Sequence, residues 1–234
     1  QPTRGVDIGA IEFIHQQIEK HRMGNQKLKA LAFCRNIQHA RMMADNLGDY
    51  YHTAFLSGKN KTGERIRAYN DLQDENRDLE ILFAVDILNE GVDIPGVNMV
   101  LFLRPTESST IFLQQLGRGL RLASNKECCT VLDFVGNARA EYDFAQKFRA
   151  LVGKTNKAIS HEIKQGFPHA PLGCRIELSK QTQELILSNI KKATLNTSRL
   201  MGLIRRFSQD CDLPLTLANF LKFYPHISLE EIYK

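Results

Sequence analysis

No apolar run in the 234 residues approaches the ~20 needed to span a bilayer. The first residues, Gln1 to Asp7, also lack the charged-then-apolar layout of a secretory signal. A helical membrane span is thereby excluded, and a cytoplasmic protein is expected. Cysteine is scarce. Cys34, Cys128, Cys129, Cys174 and Cys211 are odd in number and show neither C-x-x-C pairs nor the Cys/His spacing of a zinc site. Reduced, mostly buried thiols are expected, with the abutting Cys128-Cys129 in a strand whose neighbours point to opposite faces. His21, His39, His52, His161, His169 and His226 likewise show no ligand spacing, so no metal site is expected.

Also missing is a phosphate-cradling G-x-x-x-x-G-K-[ST] loop with its downstream acidic pair. The Gly-Lys-Thr at 153–155 has Phe148 where the first glycine belongs, and it reads as a helix C-terminal glycine followed by a loop. Asp74-Glu75 ends a polar helix rather than a buried strand, which makes a poor magnesium site. On its own this chain is expected to hydrolyse no nucleotide.

What is present reads as a soluble globular chain, with 43% hydrophobic and 24% charged residues. Its length suits one ordinary domain of ~150 residues beside a smaller one. Charge is unevenly spread. Residues 1–139 hold 17 Lys/Arg against 17 Asp/Glu, whereas residues 140–234 hold 14 against 9, so the whole excess of +5 lies in the last stretch. A basic appendage beside a neutral domain fits a polyanion partner, and it fits a solvated basic face as well.

Along the first part, strand and helix patterns alternate. Ile8, Ile11, Ile14 and Ile18 have helical spacing over Asp7 to Arg22. Leu28 and Leu31 to Cys34 form a strand, and Ile37 to Tyr51 a helix with Ala40, Met43 and Leu47 inward. Strands follow at 52–56, 79–85, 99–103 and 128–134, with helices at 62–72 and 109–122. Short, nearly continuous apolar strands between helices predict a parallel sheet covered on both faces, and hence a RecA-like α/β layer fold for residues 1–139. Residues 140–234 form a helical accessory region, with helices at 142–152, 160–165, 179–192 and 198–207. Leu185, Ile186 and Ile190 make one apolar stripe. Two short helices broken at Pro225 follow, and Ser228 with Glu231 makes a capping box for the last.

Three segments carry chemistry. In Gln114-Gln115-Leu116-Gly117-Arg118-Gly119-Leu120-Arg121, two arginines three apart share one helix face, and the glycines permit close backbone approach. Arginine forks onto phosphate oxygens and stabilises charge on a transferred phosphoryl group. A surface arginine pair is usually nothing; flanking glycines at a helix start are less ordinary. Val85-Asp86-Ile87-Leu88-Asn89-Glu90-Gly91-Val92-Asp93-Ile94-Pro95 directly follows a buried strand, where open α/β sheets place ligands, although a plain turn has the same composition. Phe33-Cys34-Arg35-Asn36 ends another strand. Asn36 there either caps the next helix or, with the exposed helix amides, holds a phosphate.

In this order and spacing, over residues 28–136, the three segments resemble motifs IV, V and VI of superfamily-two helicases. The resemblance implies the second of two RecA-like domains that clamp ATP between them. It makes Arg118 and Arg121 the arginine fingers, with Gln114 beside them at the interdomain cleft. It sets Asp93 near the ATP ribose, with Gly91 and Gly117 giving close approach. ATP and magnesium would be bound mainly by an N-terminal RecA-like domain that this sequence lacks. Arg35, Asn36, Val85 and Asp86 would face the phosphates of the tracked strand. Many family members have threonine where Val85 stands, and valine keeps only the backbone amide.

The wording of 89–95, of Leu103-Arg104-Pro105-Thr106-Glu107-Ser108, of 115–121 and of Leu132-Asp133-Phe134-Val135-Gly136-Asn137 is similar to the branch of restriction-enzyme motor subunits. That implies a DNA motor in defence or repair, with DNA preferred to RNA. The competing reading is a non-enzymatic module that keeps the fold and only binds DNA or a protein; an intact Gly117-Arg118-x-x-Arg121 favours the motor.

Overall fold

The strand sequences ALAF, ILFA and MVLF are apolar at every position, so neither face can be left to water. The computed structural model of the protein describes residues 8–24, 26–85, 94–104, 126, 128–134, 143–192 and 197–232. It falls into two compact units, one over Gln1–Thr106 and Thr110–Gly136, the other over Glu107–Ser109 and Asn137–Lys234.

The first unit runs α1 (Ile8–His21), β1 (Ala30–Phe33), α2 (Ile37–Leu47), β2 (Thr53–Leu56), α3 (Thr62–Gln73), β3 (Ile81–Ala84), β4 (Met99–Phe102) and β5 (Thr130–Asp133). The strands form one all-parallel sheet in the order β2-β3-β1-β4-β5. Register is exact across the centre, with Ala30 paired to both Ile81 and Met99, and Phe33 to both Ala84 and Phe102. Alternation along the strands divides the core. Ala30, Ala32, Cys34, Ile81, Phe83, Met99 and Leu101 face the layer built by Ile11 and Ile18 of α1 and by Ala40, Met43 and Leu47 of α2. On the opposite face Phe33 stacks on Phe102 with ring centroids 5.3 Å apart. The predicted helix at 109–122 lies outside the described residues.

α3 begins with half a capping box: the Glu64 carboxylate accepts from the Lys61 N–H at 3.1 Å and from Asn60 Nδ2 at 3.1 Å. At the amino ends of the strands, Lys29 is buried, and its Nζ donates to the carbonyls of Asp74 and Leu79, each at 3.0 Å.

The second unit is helical: α4 (Phe144–Val152), α5 (Ile159–Lys164), α6 (Lys180–Lys192), α7 (Thr197–Asp210), α8 (Leu217–Phe223) and α9 (Leu229–Ile232). α4, α5 and α6 pack on one another, while Leu203, Phe207, Cys211, Phe220, Phe223, Tyr224 and Ile227 form a cluster around α7 and α8. Arg149, buried in α4, ties this unit together. Its Nη1 donates to Thr155 Oγ1 and its Nη2 to the Lys157 carbonyl, both at 2.7 Å. Its Nε lies 3.9 Å from an Asp210 carboxylate oxygen, and its guanidinium lies 4.9 Å from the Phe223 ring centre.

Gly153 does close α4, at φ 78°. Three expectations need correction. Leu185 points outward at 50% exposure, because only Ile186 and Ile190 of the stripe meet the neighbouring helices. Cys128 and Cys129 precede β5, which begins at Thr130, so they lie outside the ladder. All five thiols are free, but only Cys34 and Cys211 are buried; Cys128 and Cys174 are exposed. Of the capping box expected at Ser228 and Glu231, the Glu231 side chain lies outside the described residues. Among the described residues no helix is long and apolar enough to cross a membrane.

Candidate functional site

From β1 the chain passes through α2 to the edge strand β2, whereas the strand after β4 is β5, on the other side. Since β1 and β4 are hydrogen-bonded neighbours, their carboxyl ends flank a reversal in strand order, where open parallel sheets bind ligands. The Leu103 N–H donates to the Phe33 carbonyl at 3.0 Å, which brings Cys34-Arg35 alongside Leu103-Arg104. An open groove of about 450 Å³ lies there. Arg35, Asn36, Gln38, His39 and Met42 wall one side, Leu103 and Arg104 the other. Two of these seven residues are arginines and none is acidic, so the groove suits an anion.

The turn into α2 is held by a reciprocal pair of hydrogen bonds. Asn36 is extended (φ −157°, ψ 172°), and its Oδ1 accepts from the His39 N–H at 2.8 Å. In return His39 Nδ1 accepts from the Arg35 N–H at 3.3 Å, which assigns the ring proton to Nε2. Burial first, and the Arg35 charge second, hold the imidazole below its usual range, so it stays neutral at pH 7. Beneath the groove, burial pushes the Cys34 thiol up to about 12 against the opposing pull of Arg104. Cys34 is therefore packing, not a nucleophile.

Of the residues singled out in the sequence, Arg35 and Asn36 meet in this groove, and Asn36 is the helix cap. Val85 is a core residue whose N–H donates to the Leu56 carbonyl at 3.1 Å, so both its side chain and its amide are already engaged. Asp86, Gly91, Asp93, Gln114, Gly117, Arg118 and Arg121 lie outside the described residues. His39 and Arg104 were missed. An Asn-x-x-His spacing at a helix start would have flagged His39 as a capping partner. No local signal marks Arg104, whose neighbourhood with Arg35 exists only through the β1–β4 pairing.

A parallel five-stranded sheet with an arginine-lined groove at its reversal point defines a RecA-like α/β domain. Residues 9–123 match the family described as the helicase conserved C-terminal domain, and the sheet unit belongs to it as the C-terminal RecA-like domain of a superfamily-two helicase. Over 85 residues the chain is 40% identical to the candidate ATP-dependent helicase IRC3 of Saccharomyces cerevisiae, covering 36% of this chain and 12% of that protein. It is 28% identical over 120 residues to the type I restriction enzyme EcoKI endonuclease subunit of Escherichia coli, covering 46% of this chain and 10% of the subunit. The type ISP restriction-modification enzyme LlaBIII bound to DNA shares the fold, with a TM-score of 0.54 and 19% identity over 86% of this chain and 16% of that one. The chain thus spans about a tenth of the length of these two curated relatives.

Proposed function

We propose that this chain is the C-terminal half of an ATP-driven DNA helicase or translocase. In this reading it supplies arginine fingers to ATP and magnesium held mainly by an N-terminal RecA-like domain, and it tracks one strand of DNA through the groove at the ends of β1 and β4. The observation that carries the reading is the helicase C-terminal match over residues 9–123, which spans the groove and all three motif segments.

Arg118 and Arg121, with Gln114, reach across to the triphosphate and stabilise the charge that develops on the departing phosphoryl oxygens. Gly91 and Gly117 let the backbone approach, and Asp93 meets the ribose. The triphosphate with its magnesium supplies the free energy of domain closure. Arg35 and Arg104, at the rim of the sheet, hold backbone phosphates; Asn36 caps the helix that follows Arg35, and Asp86 faces the same tracked strand. Contacts of this kind fix register without reading sequence, so the motor moves along DNA of any sequence. The family serves DNA and RNA motors alike. DNA is favoured by the restriction-motor wording of residues 89–95 and 115–121, and by the EcoKI relative.

The test is ATP hydrolysis by the full-length protein with single-stranded DNA, duplex DNA, RNA or none, comparing wild type with Arg121→Ala. Stimulation by DNA that disappears in Arg121→Ala, with ATP binding kept, is the expected outcome. Equal rates in the two proteins remove Arg121 from catalysis. Stimulation by RNA alone reverses the choice of nucleic acid. No hydrolysis under any condition leaves a binding module.

A further inference from the structure

Among the polar groups of the groove, His39 is one that the helicase reading leaves without a task. His39 was set aside in the sequence because it has no ligand spacing, yet it is the residue on which the β1–α2 turn closes. Its ring accepts from the Arg35 N–H, and its own N–H is capped by Asn36. Arg35 itself precedes the helix, follows the end of β1, and is exposed. An exposed arginine on an untethered turn must order its main chain as well as its side chain when it binds, and fixing one residue's backbone alone costs roughly 1–2 kcal/mol.

We propose that His39 is a positioning residue of the nucleic-acid groove. As a neutral acceptor it fixes the main chain of Arg35, so that the guanidinium stands over the groove before a phosphate arrives. The inference rests on the reading of the groove as a strand-tracking surface and adds to it a residue that touches no nucleic acid. Its neutral state follows from its surroundings, since burial and the neighbouring Arg35 both oppose protonation and none of the described lining residues is acidic.

A direct phosphate contact and a positioning role differ in their response to salt. Each neutralised phosphate contributes about −0.7 (single strand) or −0.9 (duplex) to the slope of log K against log salt. Loss of a single hydrogen bond that only orders the turn leaves the slope alone and weakens binding about two- to tenfold. The experiment is fluorescence anisotropy of a fluorescein-labelled oligonucleotide with the full-length protein across a salt series, using wild type, Arg35→Ala, His39→Ala and His39→Asn. Arg35→Ala is expected to weaken binding and flatten the slope by about one phosphate contact. His39→Ala should weaken binding with the slope unchanged. His39→Asn, whose Oδ1 stands as many bonds from the backbone as Nδ1, should return the affinity to within about twofold of wild type.

If Arg35→Ala binds like wild type with the same slope, the groove is not the tracking surface and the underlying reading fails. If Arg35→Ala behaves as expected while His39→Ala binds like wild type, or His39→Asn is as weak as His39→Ala, only the positioning role is lost. A slope change in His39→Ala makes the ring a direct contact and overturns the proposal. Should His39→Ala fail to fold, His39→Gln, which carries its acceptor one atom further out, replaces it and must stay weak.

Discussion

The two units keep charged side chains out of water in opposite ways. In the sheet unit every β1, β3 and β4 position is apolar and buried, and the buried cation, Lys29, is satisfied by neutral backbone carbonyls at the sheet's amino rim. In the helical unit Lys147, Arg149 and Glu162 are themselves buried, and Arg149 and Glu162 are answered by ionisable partners, Asp210 and His169. A core of alternating strands needs no charge to choose its partners, because hydrogen-bond register already does so. Helices as short as α5 and α8 have no such ladder. Beside them the directional bonds of Arg149 to Thr155, Lys157 and Asp210 tie the segment after α4 to the end of α7, and they make that packing dependent on ionisation.

Substitutions in each core should separate these two kinds of cohesion. The largest effect is expected from Phe83→Ala, which empties a fully buried position in β3 and should cost about 3–5 kcal/mol with little dependence on pH or salt. Chemical unfolding at several ionic strengths measures it, and a loss that shrinks in high salt would contradict an apolar origin.

Arg149→Ala comes next, at about 3 kcal/mol, because it strands Asp210 beside Phe223 and Tyr224. Here pH must matter. Burial raises the folded pKa of Asp210 above 3.8, against the pull of Arg149, Arg206 and Lys154. A carboxyl raised in the folded state contributes most stability in acid, and that contribution is lost as pH rises through the folded value. Removing Arg149 raises it further, so the deficit of Arg149→Ala should be smaller in mild acid than at pH 7. A pH-independent deficit would make the loss one of packing alone.

The fold was legible because the three central strands are apolar throughout: all five described strands lie within the segments expected, and Ala40, Met43 and Leu47 face inward as their spacing requires. What escaped was non-local. Leu185 lies on the same short stretch as Ile186, and only the position of the neighbouring helices decides which of them is covered. No local pattern marks Arg149 or Glu162 as buried, because it is Thr155, Lys157 and His169 folding back on them that satisfies their charge. The groove was half legible, since Arg35 and Asn36 follow a recognisable strand, whereas Arg104 joins them only through strand order.

The smallest effect sharpens the comparison from the sheet side. Hydrogen bonds from Asn60 first and the Lys61 N–H second lower the Glu64 pKa, so its support of α3 is present above the unfolded value and fades as pH falls through the folded one. Glu64→Gln should abolish that acid-range change in amide exchange over the first turn of α3 and leave global unfolding unaltered. A shift in the global transition would show that even this unit leans on charge.

Strand order also sets a schedule. β1 pairs only with β3 and β4, so the centre of the sheet is completed by Phe102, which lies 69 residues downstream of its partner Phe33. At a synthesis rate of about 5–20 residues per second, the segment ALAF waits about 3–14 seconds for its second neighbour with one edge or both open. The strand that ends up most protected is thus, in the nascent chain, the one longest available to wrong partners.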